Sequence, residues 1–170
     1  MAMKLYPESN IQSIASAIRS KNGGSSTYTV MNMADAILNL GGDTSTFWGI
    51  ATRSISGEYT NGVVTSIGSY ALYSCRYLTD VSFSNCTTVG SSAFAYCYSL
   101  SSVGLSKCTS LYQNAFYYCS NLRSMYLPSC SYIGSSAFRG CSSMHTVKAS
   151  TLKSIYAYAF YGCSKLTGLW

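Results

Sequence analysis

Charge is scarce in this chain, with 9% of its 170 residues charged, five of them acidic, and a single histidine, His145. Four of the five acids precede residue 67, and Asp80 is the last. The remaining stretch therefore offers no pair of carboxylates for general acid and base work, and no nucleophile with a base beside it. No glycine-rich loop has the spacing that cradles a phosphate. The opening MAMKLYPESN has no charged region followed by an apolar one, and no apolar run approaches the roughly 20 residues that span a bilayer. The expectation is a soluble, non-enzymatic chain made in a cytoplasm, with no membrane insertion and no cofactor.

Cysteine is abundant by contrast, and its spacing is even. Cys75, Cys86, Cys97, Cys108, Cys119, Cys130 and Cys141 fall every eleven residues, and Cys163 returns after a slot held by Leu152. Self-similarity at a fixed period is the mark of stacked structural units. An eleven-residue period also suits a right-handed coiled coil, but the intervals are rich in Ser, Gly, Tyr and Thr and poor in charge.

Aligned on the cysteines, the true repeat spans two of these intervals and has two similar halves. It starts at Ile67, Val89, Leu111, Ile133 and Ile155, continues through Ala71, Ala93, Ala115, Ala137 and Ala159, and follows each alanine with Leu72, Phe94, Phe116, Phe138 or Phe160. The second half reads Leu100, Val103, Leu105, Cys108 in its clearest copy, with Leu78, Val81, Phe83, Cys86 before it and Leu122, Met125, Leu127, Cys130 after it. Val103 and Leu105 alternate with Ser102, Gly104 and Ser106, the period of a half-buried strand. Each unit holds about eight inward positions, and burying one large apolar side chain contributes about 1.5–3 kcal/mol. A lone unit cannot offset its ordering entropy with that, whereas a stack can.

The segment I-G-x-x-A-F-x-x-C joined to L-x-x-V-x-L-x-x-C resembles the bacterial surface-antigen type of leucine-rich repeat. Gly68, Gly90 and Gly134 carry the glycine, and Tyr112 and Tyr156 replace it, so those two turns are expected to differ locally. The resemblance implies a right-handed solenoid used for adhesion and binding, with no catalytic residue to carry over. The fold class expected is an α/β repeat: a leucine-rich-repeat solenoid of 22-residue units with a parallel strand stack over 67–170, four full units and a partial fifth, preceded by a small helical hairpin.

Spacing also decides what the thiols do. One ladder has five members and the other three, so pairing neighbours within a ladder strands a thiol in each. Zinc ligands converge on a point, whereas these cysteines are dispersed along a stack. Leu152 in the ninth slot shows that the position wants a compact apolar group, which a buried thiol also is.

Residues 1–42 have another texture. Ile11, Ile14, Ala15 and Ile18 recur at helical spacing after Ser9, and Val30, Met33, Ala34, Ile37 and Leu40 do so after Thr29. Gly23-Gly24 and Gly41-Gly42 punctuate them. Two short amphipathic helices need another surface to cover their apolar faces. The wording I-A-S-A-I-R-S-K-N-G and Y-T-V-M-N-M-A-D-A-I resembles a module at the front of bacteriophage structural proteins, with Val30 and Asn32 in place of the more usual proline or acid. That resemblance implies attachment to virion proteins, or to sister chains in a homo-oligomer such as a trimer, through Ile11, Ile14, Ile18, Met33 and Ile37. The alternative is a cap on the solenoid. Residues 43–66 are expected to hold a linker and, near Ile55 to Tyr59, a strand that caps the sheet.

Function is carried by the tyrosines. Thirteen of the sixteen follow residue 66, all at non-core positions of the repeat. The candidate recognition surface is Tyr70, Tyr73, Tyr96, Tyr98, Tyr117, Tyr118, Tyr158 and Tyr161 on the turns, with Arg139, and Tyr126 on the strand half. A Tyr/Ser/Gly/Asn surface on a rigid scaffold is the composition of a combining site. Rings stacked from rung to rung for stability are the alternative, and the two are compatible. The six cations after Asp80 occupy six different repeat positions, so they form no continuous basic stripe for nucleic acid. The expectation is a phage virion protein whose solenoid binds a bacterial cell-surface protein or glycan. The alternatives are a structural capsid decoration or assembly protein and a bacterial surface adhesin.

Overall fold

The computed structural model describes residues 57–60, 62 and 64–169. The expected helical hairpin, with Ile11, Ile14, Ile18, Met33 and Ile37, lies outside them. The described residues form a solenoid in which each repeat unit contributes two strands to two separate parallel sheets. The longer-stranded sheet contains β1 (Gly57–Thr60), β3 (Leu78–Ser82), β5 (Ser102–Gly104), β7 (Ser124–Tyr126), β9 (Thr146–Lys148) and β11 (Gly168–Leu169), in that order. The other is made of two-residue strands: β2 (Ser66–Ile67), β4 (Thr88–Val89), β6 (Ser110–Leu111), β8 (Tyr132–Ile133) and β10 (Ser154–Ile155).

Register follows the repeat. Val81 pairs with Val103, Met125 with Val147 and Leu111 with Ile133, each one unit apart. β1 joins the outer edge of β3 with an irregularity between Gly57 and Glu58. The second sheet escaped the sequence because a strand of two residues shows no alternation. It explains the apolar residue that opens every unit, since Val89, Leu111 and Ile133 point from these strands into the core.

The α/β expectation is corrected within the described residues, where no helix is found and the return limb of each unit is a turn. Its hydrogen bonds explain why. In the unit opening at Val89, the amides of Ser92, Phe94 and Tyr96 donate to Gln113, Ala115 and Tyr117 of the next unit at 2.7–2.9 Å. Those of Ala93, Ala95 and Cys97 donate three residues back along their own chain. Alternate amides thus serve the stack, leaving too few for a helix. Two residues per turn also take left-handed backbone: Tyr70 and Ser74, Ser92 and Tyr96, Asn114 and Tyr118, Ser136 and Gly140, Tyr158 and Gly162, with φ from 55° to 77°.

The core is one continuous column. In the unit opening at Leu111, the eight inward positions Leu111, Ala115, Phe116, Cys119, Leu122, Met125, Leu127 and Cys130 are all fully buried or nearly so. Phe94, Phe116, Phe138 and Phe160 stack nearly parallel along the axis, with centroids 4.9, 5.4 and 5.3 Å apart. All eight cysteines are buried thiols, with no disulfide among them. Cys97, Cys119, Cys141 and Cys163 donate their thiols to the carbonyls of Leu72, Phe94, Phe116 and Phe138 in the preceding unit at 3.0–3.1 Å. Cys86, Cys108 and Cys130 turn theirs toward a carbonyl two residues on. The slot therefore uses the weak S–H donor as well as the small volume, and Leu152 can supply only the latter.

The turns at Tyr112 and Tyr156 keep the bonding of the glycine turns. Gly90 and Gly134 donate to Ile67 and Leu111 at 2.8 Å, and Tyr112 and Tyr156 donate to Val89 and Ile133 at 2.9 Å. At Gly134 a Cβ would meet the backbone of Tyr112 and Gln113 at 2.8 Å, so a side chain there would force that local backbone to shift.

Candidate recognition surface

The turn between the two sheets displays the tyrosines because its buried and exposed positions alternate on a backbone fixed on both sides. Alanine and phenylalanine of each A-F pair point inward; Tyr70 and Tyr73, Tyr117, and Tyr158 and Tyr161 flank their pairs on the outer side, and in the unit opening at Val89, where Ser92 and Ala95 are buried, Tyr96 takes the outward place. Four of the outward residues are tyrosines in left-handed backbone: Tyr70, Tyr96, Tyr118 and Tyr158. A bulky side chain there costs roughly 1–2 kcal/mol, an outlay that a stacked turn must absorb. Such strain in a well-bonded frame gathers where side chains are held for a purpose.

Rings and guanidinium groups then link into one face. Tyr70 contacts Tyr73 with ring centroids 5.7 Å apart, and Tyr73 meets Tyr96 edge-on at 5.5 Å. Tyr96 is the hub, edge-on to Tyr98 at 6.0 Å and to Tyr117 at 5.4 Å, and stacked with Tyr118 at 6.0 Å. The Tyr118 ring lies against Gly140, where an added Cβ would come within 2.9 Å of it. Glycine at that position makes room for the ring of the preceding unit. Arg139 continues the face, its guanidinium carbon 5.9 Å from the Tyr117 ring and 5.0 Å from the Tyr161 ring, and Tyr161 is edge-on to Tyr158 at 6.1 Å. Contacts of this kind contribute about 0.5–1.5 kcal/mol each beyond burial.

Nine of the ten residues expected from the sequence are thus brought together. Tyr126 is set apart, on β7 and 62% exposed. Arg76 was missed: its guanidinium carbon is 5.6 Å from the Tyr98 ring, and its Nε donates to Ser74 Oγ at 3.3 Å. Its place at the foot of a tyrosine-bearing turn was the available signal. Tyr112, Tyr132 and Tyr156 form a second, smaller stack beside the short-stranded sheet, with spacings of 5.9 and 5.0 Å.

The rung-to-rung ring contacts named above as the alternative are present in the stack. Tyr96 and Tyr118 share one repeat slot and stack, while Tyr73 and Tyr96, and Tyr96 and Tyr117, are offset by one residue and still meet edge-on. The face nonetheless stays open, with Tyr70, Tyr158 and Tyr161 at 57, 65 and 61% exposure. Burial among neighbouring rings raises the Tyr96 hydroxyl pKa above its ordinary value. Arg139 Nε is buried without a hydrogen-bond acceptor, which costs about 1–3 kcal/mol for a polar group. Among the described residues no three His, Cys, Asp or Glu gather as metal ligands, and no helix is long and apolar enough to cross a membrane.

The model of the BspA type leucine rich repeat region matches residues 45–167 in six copies. It starts one repeat length before the first unit read from the sequence, so the stretch taken as linker and capping strand belongs to the matched region. The phage-like module of residues 1–42 gains no support from it. A leucine rich repeat protein of T. pallidum has a similar structure, at 28% identity and a TM-score of 0.60 over 62% of this chain and 51% of that one. A leucine rich cell surface protein of Faecalibacterium prausnitzii shares the fold, at 22% identity and a TM-score of 0.55 over 68% of this chain and 38% of that one. A leucine-rich repeat protein of Bacteroides ovatus does so at 21% identity and a TM-score of 0.56 over 76% and 40%. The matched parts thus span between about two fifths and a half of those chains. No protein with a curated description matches the sequence significantly.

Proposed function

The chain belongs to the BspA-type leucine-rich repeat family, and on that premise we propose that it is a non-enzymatic adhesion module that binds its ligand through the tyrosine and arginine turn face. The observation that carries this is the continuous run of contacting side chains from Tyr70 to Tyr158, spread over five successive units. A solenoid held from both sides by inter-unit hydrogen bonds presents such a face with little ordering cost on binding. Its partner is a protein or glycan of a cell surface. Display at a bacterial surface is the placement that the F. prausnitzii cell surface protein supports by analogy of fold. The virion placement rests on the wording of residues 1–42 alone.

The test replaces Tyr117, Tyr118 and Tyr161 together with Ser in the full chain. The variant is expected to keep the circular dichroism of the parent and to lose cell attachment by about tenfold or more, since exposed aromatic anchors carry much of a binding energy. Unchanged attachment would make the rings a stabilising ladder and nothing else.

A further inference from the structure

The turn face is cationic as well as aromatic. Arg76 lies beside Tyr98 in its first unit, and Arg139 is held between Tyr117 and Tyr161 three units further on. At the ~4.8 Å spacing of neighbouring strands, the units that carry the two arginines are about 14 Å apart along the stack. No carboxylate offsets them there: among the described residues, the acids are Glu58 on β1 and Asp80 on β3, and the Asp80 carboxylate accepts from Ser101. Arg139 in particular has a buried Nε with no acceptor. Its charge is therefore partly withdrawn from water and left uncompensated by the protein.

Resting on the adhesion reading above, we propose that this face binds a carboxylated polysaccharide laid along the solenoid axis, with sugar faces on the tyrosine rings and carboxylates at Arg139 and Arg76. Flat rings suit the apolar faces of pyranose sugars, and a guanidinium fork suits a carboxylate. Neutral sugars would use the rings and leave both arginines idle. An extended chain suits a face that runs from unit to unit along the stack.

The full chain is titrated with oligogalacturonate and with its carboxyl-reduced, neutral counterpart of equal length. The acidic chain is expected to bind about ten- to a hundredfold more tightly, as a charge-assisted hydrogen bond provides. Raising the salt should weaken only the acidic chain. Arg139→Gln should remove most of the difference between the two chains, and Arg139→Lys should restore part of it. Should Arg139→Gln fail to fold, Arg76→Gln, at an exposed position, tests the same discrimination. Equal binding of both chains, lost in the tyrosine variant, would overturn the carboxylate assignment and keep the adhesion reading. If neither chain binds while cell attachment still depends on the tyrosines, the ligand is a protein and the glycan proposal falls alone. Absence of both effects would end both readings.

Discussion

The unit opening at Leu111 and the one opening at Ile155 have nearly the same plan and very different surroundings. In the former, all eight inward residues are sealed, whereas in the latter Ile155 and Leu169 are 46 and 42% exposed and Phe160 and Leu166 are only partly covered. Phe116 has a phenylalanine ring on each side, and among the described residues Phe160 stacks on Phe138 alone. The difference shows that the repeat motif does not itself bury anything. Burial comes from the neighbouring unit, so stability in this fold belongs to interfaces between units.

Alkali should expose that dependence most strongly. Burial pushes the thiols of Cys86, Cys108, Cys119, Cys130 and Cys141 above the ordinary range, Cys108 to about 12, and Cys97 is raised chiefly by its hydrogen bond with Cys119, with burial adding to it. A raised folded pKa gives stability that is complete below the unfolded value, about 8.5, and is lost as pH climbs toward the folded one. At one unit above 8.5 the Cys108 thiol should cost about 1.4 kcal/mol, and the other raised thiols act in the same direction. Cys163 has the opposite sign, lowered by its interaction with the neighbouring Cys141 thiol, so its contribution is present above the unfolded value and lost as pH falls through the folded one. Melting temperature should therefore drop as pH climbs above about 8.5. A flat profile would mean that water reaches the ladder.

Truncating one phenylalanine comes next. Phe116→Ala removes a fully buried ring from two interfaces and should cost about 3–5 kcal/mol, while Phe160→Ala, partly exposed with one stacking partner, should cost less than about half of that. Denaturant titration of the two variants measures the gap. Equal losses would break the distinction between sealed and open units.

Which parts of this were legible beforehand follows from the same physics. The inward column was readable because burial demands the same residue class at the same slot in every unit, and Ala93, Phe94, Cys97, Leu100, Val103, Leu105 and Cys108 all obey it. The tyrosine face was readable by subtraction, as bulky rings at slots the core does not use. The second sheet was hidden in two-residue strands such as Ser110–Leu111, which carry no period. The left-handed turns were hidden as well, because Tyr70, Ser92, Asn114 and Ser136 occupy one such slot with no shared side-chain chemistry. Arg76 and Arg139 sit at different repeat positions, and only the folded stack shows that each meets a ring.

The smallest effect is also the most local. Thiol reactivity follows the thiolate population and access together, and the five-membered ladder grades both. Cys97, Cys119 and Cys141 are inaccessible and held protonated, whereas Cys163 sits in the less covered unit at 9% exposure with its thiol lowered by Cys141. Under native conditions at neutral pH, a maleimide followed by mass spectrometry should modify Cys163 first and leave the interior members unlabelled until the stack opens. Faster labelling of Cys119 than of Cys163 would reverse the order of the two units. It would place the weak point of the solenoid in its middle, where the phenylalanine stack predicts the opposite.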